Sequence, residues 1–253
     1  MSDYLRTSRI RLGVLFALEM EQRALERVLA ESRSWSRKRD GEMGWTFGSL
    51  EVSAIVSGVG RERCAAAAER LVRRGVHRLV CAGFAAGLDP TLSVGDVVVA
   101  RRVLLAHDNS GESIASDQGL LSVLPPMGSM NIHIQPCDIA TSDHIVCASE
   151  EKNRLHQATG AGALDMESYG AAEVCRAGRV PFAVIRSISD AANEDIPQDV
   201  ADFLSLEAAL DRVVFILSKP GIWRTLLRLR GQADTAAENL GDVLGMMLLR
   251  MMG

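Results

Sequence analysis

Two short runs place carboxylates where chemistry could use them: Asp165-Met166-Glu167 and Arg186-Ser187-Ile188-Ser189-Asp190. The first stands where a helix is expected to begin, the second at the C-terminal end of an apolar strand. Open α/β sheets bind ligands beyond the carboxyl ends of their strands, so an Asp in that place can meet a substrate. A carboxyl group with a raised pKa serves as a general acid, and an ionised one holds hydroxyls or stabilises developing positive charge. Glu21, just after the first expected strand, is a third candidate, suited to activating water. A purely structural account stands against these: Asp190 caps the next segment, and Glu167 is a first-turn carboxylate facing a helix dipole.

Other constellations carry less. His107 and Asp108 are adjacent, and neighbours in a strand point to opposite faces, so a loop histidine is the simpler account. His133, His144 and His156 lack metal-ligand spacing, and neither a metal nor a cofactor is expected. Ser57-Gly58-Val59-Gly60 is a glycine turn, but G-x-G-x-x-G is incomplete there. The five cysteines are odd in number with no C-x-x-C pair, which fits reduced thiols of an intracellular protein.

The elements that must position these residues follow from periodicity. Arg11–Leu18 reads as a first strand and Glu19–Glu31 as a helix. Gly44–Leu50 and Glu51–Ser57 read as paired strands, Glu62–Gly75 as an alanine-rich helix stopped by glycine. Arg78–Ala82 is a short strand, Gly83–Pro90 a turn of small residues, and Gly95–Ala100 a β-branched strand. Residues 106–135 lack a pattern and read as a long functional loop. Ile139–Val146 is expected to be a strand, Met166–Ala177 a helix, Val180–Ile188 a buried strand and Asp199–Leu217 an amphipathic helix. Strand and helix alternate, which predicts a single-domain three-layer α/β/α fold with a mixed, mostly parallel central sheet.

With 253 residues, 47% of them hydrophobic, the chain can bury a sizeable core. The net charge of −4 argues against nucleic acid as a partner. Leu12–Leu18 is too short for a membrane span and is followed at once by acidic residues, so it reads as a buried strand rather than a signal peptide. The expected organisation is a body over residues 1–218 and a helical extension over 219–253. In the extension, Ile222–Arg230 mixes Trp and Leu with arginines, and Leu240, Val243, Leu244, Met247, Leu248 and Met251 recur at helical intervals. Two helices joined by Gly231 are expected. They either pack on the body or on a second subunit, or they lie as a basic amphipathic surface on a membrane.

The pieces Leu12–Glu21, Ser57–Gly60, Gly83–Asp96 (GFAAGLDPTLSVGD), Asp165–Ser168 (DMES) and Val180–Asp190 (VPFAVIRSISD) occur in an order that resembles one superfamily. It is that of the purine nucleoside phosphorylases and the methylthioadenosine/S-adenosylhomocysteine nucleosidases, and the likeness runs from about Arg11 to Leu217. The resemblance implies a nucleoside phosphorylase-like fold, an adenine nucleoside as substrate, cleavage of its N-glycosidic bond, and a homodimer. It implies Asp190 as the acid at purine N7, oriented by Ser189, and Glu167 on the ribose hydroxyls with Met166 packed beneath the sugar. Glu21 matches the glutamate that activates water, and Arg186 an arginine close to the sugar and nucleophile. Ile145 and Val146 match residues lining the base pocket, and Val59 and Leu18 match apolar positions near the ribose. With aromatic residues at 4%, a base site here must lean on aliphatic side chains.

Two departures bear on the substrate. Phe84 stands where the nucleosidases usually carry a serine, and either reshapes the sugar end or turns into the core. Cys81 stands where trimeric phosphorylases place a phosphate-binding arginine, and a thiol cannot give that bidentate grip. Water is therefore favoured over phosphate, although Arg61, Arg63 or Arg186 could still serve. The tail, with GFAAGLDP and DMES, also resembles the hopanoid-associated subgroup, which implies adenosylhopane as substrate, ribosylhopane as product, and a cytoplasmic protein touching the inner membrane face through residues 219–253. An ordinary methylthioadenosine/S-adenosylhomocysteine nucleosidase, a phosphorylase, and a non-catalytic nucleoside-binding protein are the alternatives.

Overall fold

The computed structural model describes residues 9–31, 36–37, 43–108, 111–126, 128, 130–197, 199 and 223–252. The helix expected over Asp199–Leu217 falls, beyond its first residue, outside them. The described elements are β1 (Ile10–Phe16), α1 (Glu19–Glu31), β2 (Ser36–Arg37), β3 (Met43–Phe47), β4 (Leu50–Val56), α2 (Arg61–Arg73), β5 (Arg78–Gly87), β6 (Val97–Leu105), β7 (Ser113–Ala115), α3 (Gln118–Ser122), β8 (Ile134–Thr141), α4 (Ser149–Thr159), β9 (Ala163–Asp165), α5 (Ser168–Gly178), β10 (Phe182–Asp190) and α6 (Trp223–Arg250).

The strands form one mixed sheet in the order β10-β6-β8-β9-β5-β1-β4-β3-β2. The apolar runs pair in parallel: β1 with β4 and β5, and β10 with β5. Such runs are buried on both faces, which is why they read as continuous hydrophobic stretches instead of alternating ones. Because β10 pairs with both β5 and β6, the strands β10, β6, β8, β9 and β5 close into a ring. Helices α2 and α5 cover one face through Cys64, Ala68, Leu71, Ala171 and Cys175. On the other face α1 and α6 bring Leu25, Leu29, Leu240, Val243, Leu244 and Met247. The result is the expected three-layer α/β/α arrangement.

Several boundaries differ from those read off the sequence. The small residues after Ala82 continue β5 as far as Gly87 instead of turning. The strand expected at Ile139–Val146 is β8, which begins earlier and stops at Thr141, leaving 142–148 irregular. The patternless stretch 106–135 holds β7 and α3. Helix α4 and the three-residue β9 had not been foreseen. Residues 223–250 are one helix, not two: Gly231 sits inside it with nothing near its Cα that a side chain would meet. A helix tolerates an interior glycine at a cost of about 1 kcal/mol, which a packed apolar stripe easily offsets.

That stripe also answers how the C-terminal segment packs. Leu240, Val243, Leu244, Met247 and Leu248 are buried against the body, so they are not offered to a membrane. Among the described residues no helix is long and apolar enough to cross one. Contact between α6 and α1 is close because Gly241 lacks a side chain: a Cβ there would lie 2.6 Å from the Ala24 carbonyl oxygen. In an exposed helix Gly→Ala stabilises by about 1 kcal/mol. Here we expect Gly241→Ala to destabilise by about 1–3 kcal/mol, since the clash is with backbone. Urea denaturation reads this as a lower midpoint at unchanged slope; a raised midpoint would show that α6 can move away from α1 without loss.

Candidate active site

The carboxyl ends of β1, β4, β5, β9 and β10 meet around a cavity of about 200 Å³. Glu21, Glu167 and Asp190 all line it, with Ser189 beside Asp190. Met166, Phe84, Ile145 and Val146 supply apolar wall, while Leu18 and Val59, 38% and 41% exposed, form the rim. A second, wider cleft of about 350 Å³ adjoins it at Val59 and is lined by Arg61, Arg63 and Asp143.

Each carboxylate is fixed by a separate set of donors. Glu21 Oε2 accepts from the Ala17 and Leu18 amides, both at 2.8 Å, and Oε1 accepts from the Phe84 amide at 2.9 Å. These bonds tie the start of α1 to β5. Burial pushes the Glu21 carboxyl above its ordinary range, with Arg186 and the three amides pulling the other way. Glu167 Oε1 accepts from the Gly60 amide at 3.0 Å. The turn that aims this amide needs glycine, because Gly58 and Gly60 have φ of 82° and 111°. Burial dominates at Glu167 too and raises its pKa to about 7, against the opposing pull of Arg186; Asp165 and Glu21 add like-charge repulsion.

The structural account of Glu167 as a first-turn helix carboxylate fails, because Asp165 does that work. Asp165 Oδ1 accepts from the amides of Glu167 (3.3 Å) and Ser168 (3.2 Å) and from the Thr141 hydroxyl (2.8 Å). Glu167 is thereby left to face the cavity. Asp190 likewise caps no following segment: Oδ1 accepts from the Ser189 hydroxyl at 2.7 Å and Oδ2 from the Lys152 ammonium at 2.5 Å.

Arg186 is not part of the cavity wall. It is wholly buried beneath it, with Nη2 at 2.7 Å from Asp165 and 3.5 Å from Glu167. Nη2 also donates to the Ser168 hydroxyl at 3.0 Å and approaches the Cys81 sulfur at 3.4 Å. The surrounding carboxylates raise its pKa further, so it is charged at all pH values of interest despite its burial. Its Nη1 and Glu21 Oε1 crowd the backbone at Gly83 so closely that a Cβ there would lie 2.4 and 2.7 Å from them.

A family model described as Phosphorylase superfamily matches residues 11–213. The chain belongs to the phosphorylase superfamily. Among relatives, a 5′-methylthioadenosine/S-adenosylhomocysteine nucleosidase of Mycobacterium tuberculosis is 26% identical over 252 residues, spanning 83% of this chain and 97% of the relative. Among solved structures, one such nucleosidase from Colwellia psychrerythraea, in complex with adenine, superimposes with a TM-score of 0.72 at 21% identity, covering 96% of both chains. Futalosine hydrolase of Helicobacter pylori gives 0.69 at 20% identity, covering 94% of this chain and 97% of the other.

Within this superfamily fold the structure adds a charged residue that the sequence did not single out, Lys152, bonded to Asp190. Asp165 stood in a quoted run, but its pairing with Arg186 and its capping bonds had no sequence signal. His144 lines the cavity, and its ring stacks on that of His107 with centroids 5.4 Å apart, so His107 is engaged there. The burial of Glu167 generates a testable pH dependence. Its ordinary pKa of 4.5 rises to about 7 on folding, so the folded state holds more protons in that window and loses stability as pH rises through it. We expect Glu167→Gln to match the parent near pH 4.5 and to exceed it by about 3 kcal/mol at pH 8. Thermal melts across this range check it; a pH-independent difference would show that Glu167 titrates as it does in water.

Proposed function

We propose that this chain hydrolyses the N-glycosidic bond of a 5′-substituted adenosine, releasing adenine, in the manner of a methylthioadenosine/S-adenosylhomocysteine nucleosidase. The observation that carries this is the separation of three carboxylates around one cavity, with Asp165 taking the capping role that would otherwise explain one of them away. A purine leaves poorly unless N7 is protonated, and the ribose gains oxocarbenium character as the bond stretches. Asp190, oriented by the Ser189 hydroxyl, gives its proton to N7 as the C1′–N9 electron pair moves onto the base. Glu167 accepts from the ribose hydroxyls and faces the positive ring. Glu21 takes the proton of the attacking water, whose oxygen forms the new bond to C1′.

Charge around the nucleophile side favours water over phosphate. Asp165, Glu167 and Glu21 surround the single guanidinium of Arg186, which leaves no net positive charge for a dianion. Arg61 is 3.6 Å from Asp143 in the neighbouring cleft. The relatives named as nucleosidases support the same reading at the level of the reaction.

A second reading, adenosylhopane cleaved to ribosylhopane, is favoured by one feature: Phe84 lies in the cavity wall and not wholly in the core, which alters the sugar end. The tail gives it less support, because Leu240, Val243, Leu244, Met247 and Leu248 of α6 are buried on the body, while Leu227, Met246 and Leu249 stay exposed. A homodimer and contact of residues 219–253 with the inner membrane face remain part of that proposal and not of the first.

Mass spectrometry of products from a panel of 5′-substituted adenosines, with and without phosphate, tests both readings. Free 5-methylthioribose from methylthioadenosine is expected, unchanged in amount by phosphate. A ribose 1-phosphate product would make the chain a phosphorylase, and turnover of only the lipid nucleoside would reverse the order of the two substrates. Asp190→Asn is expected to lower kcat by roughly 10²–10⁴-fold while adenine still binds. Undiminished turnover would remove Asp190 from the role of acid.

A further inference from the structure

Lys152, the one lysine among the described residues, has no exposed surface at all. It sits on α4, whose exposed face is polar and whose sequence gives no sign of a site. An ammonium has three donors, and all three are used: Asp190 Oδ2 at 2.5 Å, the Ala191 carbonyl at 3.0 Å and the Glu194 carbonyl at 3.0 Å. The lysine therefore holds the carboxyl of Asp190 and the turn that follows it in one grip. That turn is held in its own right from the far side. The Glu194 carboxylate is 2.5 Å from Arg228 Nη1 and accepts from Gln232 Nε2 at 2.9 Å, both residues of α6.

Burying a lone lysine costs several kcal/mol, so a fold that keeps one wholly buried must use its charge or its bonds. The two carbonyls could be satisfied by a neutral donor. What only a cation supplies is a partner for negative charge on Oδ2. Oδ2 faces the Lys152 cation, whereas Oδ1 accepts only from the neutral Ser189 hydroxyl, so Oδ1 is the oxygen that can exchange a proton with a ligand. We propose that Lys152 is the positioning residue of the acid: it fixes which oxygen of Asp190 faces the base, and its ammonium stabilises the carboxylate that remains once the proton has passed from Oδ1 to N7. The lysine keeps its own proton throughout. This rests on the reading of Asp190 as general acid.

The test uses two substrates that differ in their need for an acid. Adenine must be protonated to leave, whereas the 4-nitrophenolate of a 4-nitrophenyl riboside leaves without a proton. Lys152→Met and Lys152→Gln are measured on methylthioadenosine and on the nitrophenyl riboside, with Asp190→Asn alongside. We expect kcat on methylthioadenosine to fall by about 100-fold or more with KM changed far less, and the loss on the riboside to be smaller by at least about 30-fold. Lys152→Gln retains amide donors for the Ala191 and Glu194 carbonyls, so it separates loss of charge from loss of the turn.

Equal losses on both substrates, or no loss on methylthioadenosine, would overturn the proposal. So would a failure of both variants to fold, which would make Lys152 a residue of stability alone. If the parent protein releases no adenine, or Asp190→Asn discriminates between neither substrate, it is the functional reading that falls. A discriminating Asp190→Asn beside non-discriminating Lys152 variants sinks this inference only.

Discussion

The guanidinium of Arg186, buried under the cavity, sets the terms for the residues around it. An unpaired charge with no exposed surface costs several kcal/mol, and removing its partners would cost more. The fold answers with Asp165 at 2.7 Å and Glu167 at 3.5 Å, and with Glu21 close enough to feel its field. The small residues nearby follow from this. Gly83 has no room for a Cβ, Cys81 offers a soft sulfur to Nη2, and Ser168 places a hydroxyl between guanidinium and Asp165. In β5, charged side chains from β10 and α1 occupy the volume that a side chain at Gly83 would fill, and the Asp190 and Ala192 backbone that at Gly87.

That same fact explains where sequence reasoning misread the chain. Glu19–Glu31 is a helix with the bounds its Leu, Ala, Glu and Arg content suggests, and β10 ends on Asp190 as an apolar run reaching the sheet's edge should. Local pattern decided those elements. Gly83–Gly87 has the composition of a turn, yet its smallness serves a tertiary contact, and a period-based reading has no access to that. Helix α4 was invisible for the opposite reason. Its sequence SEEKNRLHQAT buries little apart from Leu155 and Lys152, so no apolar stripe marks it. The residues of the site that carry a motif, such as Glu167 and Asp190, were therefore legible, while Lys152, which reaches Asp190 from an unmarked helix, was not.

The C-terminal segment shows how one stripe of residues supports opposite expectations until its partner surface is known. Leucines and methionines at helical spacing beside arginines suit a membrane surface or a protein core equally well. The core receives them here, because α1 offers Leu25 and Leu29 and because Gly241 and Gly245 let the two helices approach. Nearer the start of α6, Arg228 spends its charge on Glu194. A segment that looked like an appendage is bonded to the turn that follows Asp190.

The cavity thus has two buried cations, one behind each end. Arg186 stands behind Glu21 and Glu167, and Lys152 behind Asp190, and among the described residues no ion pair joins the two sets. Two carboxylates in one small, poorly solvated space would otherwise repel and compete for a single proton, each limiting the charge state of the other. Giving each end its own cation weakens that competition. In the proposed reaction an ionised group would face a sugar ring that is becoming positive while another passes a proton at the base, and the two buried cations would keep those tasks apart.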